Sequence, residues 1–154
     1  MTALKFRNND EMPILGLGTF RSEPNEVYNA VLSAIKIGYR HIDCAAAYGN
    51  EKEVGNAIAD AIKQGLVTRE DLWVTSKLWN ASHGEENVIP ALNQTLEDLQ
   101  LEYLDLYLIH WPVALKKGTE MPEKASDFIP LSEVPLTNTW KGMEAALEQG
   151  LAKH

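Results

Sequence analysis

Asp43, Tyr48, Lys77 and His110 are the residues whose types and placement could do chemistry together. Asp43, Lys77 and His110 close apolar, strand-like runs, and Tyr48 sits in the loop after the first of these. An acid, a phenol, an ammonium and an imidazole delivered to one rim form a proton-transfer site. A carboxylate partner keeps a lysine charged in a dry site, and an ammonium fixed beside a phenol makes that phenol a stronger acid. Such a phenol is a general acid in one direction and a general base in the other. An imidazole beside it can donate a hydrogen bond to a developing alkoxide. The set suits reversible carbonyl–alcohol chemistry but holds no hydride source, so it implies a redox cofactor.

Each residue alone has an ordinary role. Asp43 would be a helix cap or ion-pair partner, Lys77 a snorkelling rim lysine, His110 a core histidine and Tyr48 a loop aromatic. Parallel strands change the odds, because they bring all four to one rim. Two other chemistries are weaker. A Schiff-base lyase would use Lys77 as an amine nucleophile, but a carboxylate and a phenol beside it favour the charged form. A metal site would start from His41 and Asp43 on one strand face, and no second ligand pair completes it. Cys44 alternates to the opposite face from Asp43 and reads as a packed small hydrophobe.

The chain has 154 residues, 45% of them hydrophobic, enough for one sizeable core. The net charge of −8 offers no basic patch to nucleic acid or anionic membranes. A single cysteine rules out an internal disulfide and fits a reducing compartment. The N-terminus has no apolar signal-peptide core, and the most apolar stretch, Leu104 to Leu115, holds Asp105, His110 and Pro112. A cytoplasmic globular protein is expected.

Strand and helix patterns alternate. Leu4 to Phe6 and Met12 to Ile14 flank a turn-rich Asn8-Asn9-Asp10 and predict a hairpin. Strands are predicted over Ile14 to Gly18, Tyr39 to Cys44, Leu72 to Lys77 and Leu104 to His110. Helices fall between them: one with Val27, Val31, Leu32 and Ile35 inward, Glu51 to Gln64, and Glu85 to Leu99 with Pro90 in its first turns. Val113 to Leu136 reads as a long polar loop. A fourth helix from Asn138 is expected to turn Trp140, Met143, Ala146 and Leu147 inward, and Leu151 to His154 to lead into a fifth strand. The strands recur about every 33 residues, the βαβ repeat of a parallel sheet. Polar residues at several strand ends favour a (β/α)8 barrel over a doubly wound sheet. Gly16 and Gly18 do not make a dinucleotide fingerprint, because the third glycine position is Arg21. They read as a strand end with close backbone approach.

Gly38-Tyr39-Arg40-His41-Ile42-Asp43-Cys44-Ala45, Tyr48-Gly49-Asn50-Glu51 and Val54-Gly55 resemble the first aldo-keto reductase signature. The resemblance continues in Met12 to Thr19, in Thr75-Ser76-Lys77-Leu78-Trp79 and in Asp105 to Pro112, and it looks closest to the aldose and aldehyde reductase branch. It implies a (β/α)8 barrel and NADPH-dependent reduction of aldehydes and ketones to alcohols. Tyr48 would be the general acid, tuned by Lys77 and Asp43, with His110 orienting the carbonyl and no metal. Gly18, Thr19, Phe20 and Asp43 match positions at the nicotinamide-ribose end of NADP(H). Phe20, Trp79 and Trp111, with Tyr48 and His110, match the substrate pocket. Position 20 is often tryptophan in that branch, and Phe20 keeps the flat apolar wall without the indole N–H.

By the same template, residues 1–154 are the N-terminal half of a single barrel domain: the floor hairpin and the first four βα units of eight. A whole barrel takes about 250 residues, and the family's remaining cofactor contacts lie in the second half. The full-length parent is expected to be a monomer acting on a small carbonyl compound. The alternative is a non-catalytic half-barrel that associates with a partner or with itself, since its open sheet edges need cover.

Overall fold

Short β-rich runs separated by amphipathic segments fold here as the periodicity dictates. A computed structural model describes residues 2–154. An antiparallel hairpin opens the chain, pairing β1 (Ala3–Lys5) with β2 (Glu11–Pro13). Four parallel strands follow, side by side in chain order: β3 (Leu17–Gly18), β4 (His41–Asp43), β5 (Trp73–Leu78) and β6 (Leu106–Ile109). They are linked by α1 (Glu26–Lys36), α2 (Glu51–Lys63) and α3 (Glu85–Leu99). A small hairpin of β7 (Ala114–Leu115) and β8 (Phe128–Ile129) then precedes α4 (Leu136–Glu148).

Strand alternation divides the sheet into two faces. Ile42, Cys44, Val74 and Leu78 are fully buried against the helices, with Val31, Ile35, Val54, Ile58, Leu92 and Leu99 opposite them. His41, Asp43, Thr75 and Lys77 occupy the other face. His41 Nε2 lies 3.1 Å from Thr75 Oγ1, which ties the two strands on that side. The register pairs Asp43 with Thr75 and Lys77 with Leu108, so the polar strand ends share one rim.

Several expectations need correction. The first strand is only Leu17–Gly18, and Ile14 and Leu15 are exposed. The close backbone approach belongs to Gly16, where a Cβ would sit 2.9 Å from the His41 ring; one on Gly18 would meet nothing. The loop after β6 carries the β7–β8 pairing. In α4, Trp140 and Leu147 do not turn inward; Trp140 is 58% exposed. The buried stripe of that helix is Thr139, Gly142 and Ala146. Gly142 packs so closely that a Cβ would fall 2.6 Å from Val88, so small residues set the phase of the helix.

Among the described residues the sheet is open, with β3 and β6 at its edges, and no closed barrel forms. The last residues join the β6 edge: Ala152 bridges Leu104, and the Tyr107 N–H donates to the His154 carbonyl at 2.9 Å.

Candidate active site

The rim at the carboxyl ends of β4, β5 and β6 gathers all four expected residues. Asp43 is the last residue of β4 and Lys77 the penultimate residue of β5. Beyond β4 the Cys44 N–H donates to the Thr75 carbonyl at 2.8 Å, which steers the chain into a 3-10 turn, Ala46–Tyr48. Gly49 ends that turn at φ 69°, a conformation that suits glycine. Asn50 Nδ2 then donates to the Thr19 carbonyl at 2.8 Å and fixes the turn against the loop after β3.

Lys77 is the hub. Its Nζ lies 2.8 Å from both Asp43 carboxylate oxygens, 2.8 Å from the Cys44 carbonyl and 3.2 Å from Tyr48 Oη. An ammonium has three protons and no lone pair, so toward Tyr48 it can only donate. The phenol's own proton is left to point elsewhere. Most of the Lys77 side chain is buried, and Asp43 is about a third exposed.

His110 follows β6, and its N–H donates to the Leu78 carbonyl at 3.1 Å. Its ring meets Tyr48 edge-on at a centroid distance of 5.7 Å. Burial, and then the nearby Lys77 ammonium, hold its pKa below the usual 6.5, with Asp43 opposing. The imidazole is therefore neutral at pH 7, one ring nitrogen donating and the other accepting. His110 Nδ1 is buried without a protein partner.

Aromatic rings wall the site. Phe20 lies 4.9 Å from Tyr48, Trp79 5.5 Å from His110 and 5.1 Å from Trp111. The Trp79 indole N–H donates to the Thr119 carbonyl at 2.9 Å, and the Trp111 N–H donates to Asn80 Oδ1 at 3.1 Å. Thr119 and Asn80 are supports that no motif pointed to. Thr19 is buried and its hydroxyl donates to the Asp43 carbonyl at 3.0 Å, so its side chain shapes the strand end. Open space above Gly18, beside a partly exposed Asp43 carboxylate that can accept a hydroxyl, fits a ribose end.

Glu51 is a further residue to which the sequence pattern gave no role. It is 5% exposed, although it is a carboxylate at the start of α2. The signal was its spacing: residues 51, 54, 58 and 61 share one helical stripe, and the other three are apolar. Cys44 is fully buried and burial pushes its thiol up, as a packed hydrophobe requires. Among the described residues no group of three or more potential ligands could hold a metal, and no helix is long and apolar enough to cross a membrane.

Comparison with known proteins gives these residues a context. A family model described as "Aldo/keto reductase family" matches residues 14–154. An aldo/keto reductase of Synechocystis is 49% identical over 147 residues, covering 96% of this chain and 45% of the relative. Human aldo-keto reductase family 1 member A1 is 52% identical over 145 residues, 93% of this chain and 45% of that protein. The aldose reductase from Schistosoma japonicum superposes with a TM-score of 0.92 at 46% identity, over 99% of this chain and 51% of that one. The aldo-keto reductase of Bombyx mori, solved in complex with NADP, gives 0.86 at 42% identity, over 99% and 48%. The chain thus spans about half the length of the curated relatives it matches. The family fold is a (β/α)8 barrel with a parallel sheet and surrounding helices, and this chain belongs to the aldo/keto reductase family.

Proposed function

We propose that this protein is an NADPH-dependent oxidoreductase that reduces aldehydes and ketones to alcohols, with Tyr48 as the proton donor. The observation that carries this reading is the Lys77 clasp. One ammonium holds both Asp43 oxygens and the Tyr48 oxygen, leaving the phenol proton free to be given away. Bound NADPH supplies the hydride to the carbonyl carbon. Tyr48 protonates the carbonyl oxygen, Lys77 and Asp43 hold the phenol in place, and neutral His110 donates a hydrogen bond that orients that oxygen. Phe20, Trp79 and Trp111 form the apolar walls for the substrate. Gly18, Thr19, Phe20 and Asp43 would hold the nicotinamide-ribose end of the cofactor.

A Schiff-base role for Lys77 is disfavoured, since an amine clasped by a carboxylate and two further oxygens is a poor nucleophile. The decisive experiment follows NADPH oxidation with a simple aldehyde. The protein should turn over, and Tyr48→Phe should lose about a hundredfold or more of kcat. Normal turnover by Tyr48→Phe would sink the assignment.

A second reading, a half-barrel that associates rather than catalyses, has one observation behind it. Ile109, Pro112, Leu136 and Trp140 line an apolar groove of about 500 Å³ between β6 and α4. Light scattering on the 154-residue chain discriminates: a stable monomer counts against association.

A further inference from the structure

Glu51, three residues after Tyr48, supplies a device that the proton-transfer reading leaves unused. Glu51 opens α2 and points its carboxyl into the interior. Oε1 accepts from Ser76 Oγ at 2.5 Å and Oε2 accepts from Thr95 Oγ1 of α3 at 3.0 Å. Ser76 and Thr95 are themselves buried. Ser76 precedes Lys77 on β5, and their side chains leave opposite faces of the strand. The contacts therefore close a ring: Tyr48 to Glu51 through the backbone, Glu51 to Ser76 through a hydrogen bond, Ser76 to Lys77 through the backbone, and Lys77 back to Tyr48 at 3.2 Å.

We propose that Glu51 is a positioning residue for Tyr48, its buried carboxyl tying the start of α2 and the turn before it to the strand that carries Lys77. This rests on the carbonyl-reductase reading and deepens it. Two physical arguments support it. The Lys77–Tyr48 separation is already at the long end of the hydrogen-bond range, so any loosening of the turn breaks it first. A buried carboxyl is also a costly way to join two helices and a strand, because well-packed apolar side chains would do so at lower cost. Burial pushes the Glu51 carboxyl up to about 7, against the pull of the two hydroxyls. What a carboxyl offers instead is direction: two acceptors aimed at two hydroxyls on different elements.

The test compares kcat, KM for NADPH and melting temperature in Glu51→Ala, Glu51→Gln, Ser76→Ala and Thr95→Val. Glu51→Ala should lower kcat about tenfold or more, with KM for NADPH within about twofold of wild type. Glu51→Gln keeps an acceptor and adds a donor for the same hydroxyls, so it should restore kcat to within about threefold. Ser76→Ala should lower kcat more than Thr95→Val at matched loss of melting temperature, because only Ser76 lies on the Lys77 strand. Wild-type kcat in a folded Glu51→Ala overturns the proposal, as do kcat losses that track melting temperature alone. If Glu51→Ala does not fold, the Ser76 and Thr95 pair decides. If wild type reduces no carbonyl compound, the functional reading fails. The positioning claim is then read by hydrogen exchange at the Tyr48 and Gly49 amides, which donate to Ala45 and Ala46. Exchange there should be about tenfold faster in Ser76→Ala than in Thr95→Val, and equal rates would sink it.

Discussion

At the carboxyl ends of the strands, Lys77 clasps Asp43 and still leaves the Tyr48 proton and His110 Nδ1 without a protein partner. At the amino ends, Asp105 is clasped by Arg69 at 2.8 Å and by Lys153 at 3.4 Å, and it also accepts the Val74 N–H at 2.9 Å. Each end of the sheet sets one carboxylate against cations, one at the rim and two at the floor. The floor sets its cations against rings as well as the carboxylate: Arg69 and Lys153 each lie 4.0 Å from the Tyr103 ring centre, Phe6, His154 and Trp73 stack beside them, and Arg69 Nε is left buried without a partner. The rim holds its phenol by one long bond and leaves the phenol proton and His110 Nδ1 without a protein partner. The difference separates an ion pair on the hairpin side of the sheet from one whose ammonium also holds a phenol oxygen.

The comparison breaks most visibly under mutation of the two carboxylate sites. Asp105→Ala strands two cations near a buried site and should cost about 3–5 kcal/mol of stability in urea melts. The fraction that remains folded should keep its kcat, and a large kcat loss there would mean the floor is not merely structural. Lys77→Met should do the reverse. Its kcat falls about a hundredfold while its urea midpoint moves little, because Asp43 is partly exposed and can be rehydrated.

Proton linkage sharpens the contrast further. The folded protein holds the Glu51 proton more tightly than an unfolded chain would. That contribution is complete below about pH 4.5 and is lost as pH rises through about 7. Wild type should therefore lose about 1–3 kcal/mol relative to Glu51→Gln between pH 5 and pH 8, and parallel curves would refute a buried, raised carboxyl. Asp10 behaves oppositely: its hydrogen bond with His154 holds its carboxyl below the usual 3.8. Its contribution is present above that value and is lost as pH falls through the lower, folded one. Amides of the β1–β2 hairpin, such as Phe6, should lose protection first on acidification, a small effect visible by hydrogen exchange.

Much of this was legible in the residues. Parallel strands with polar ends require a shared rim, so Asp43, Lys77 and His110 could be placed together from pattern alone. Tyr48 was placed beside them by its position in the loop after the Asp43 strand, while the 3-10 turn that carries its ring leaves no periodicity to read. In α4, Met143 and Ala146 pack inward as expected but Trp140 and Leu147 do not, for a physical reason: close helix packing at Gly142 favours the absence of a side chain over apolar size. Glu51 was hidden by its charge, since a first-turn acid ordinarily faces water and complements the helix dipole. Its apolar stripe-mates Val54 and Ile58 were the clue.

The central claim is that Lys77 acts through Tyr48, and a double-mutant cycle on kcat tests it most directly. Lys77→Met and Tyr48→Phe should each reduce carbonyl turnover about a hundredfold, and the double variant should be no slower than Tyr48→Phe alone. Losses that multiply in the double variant would show two independent contributions and contradict the clasp.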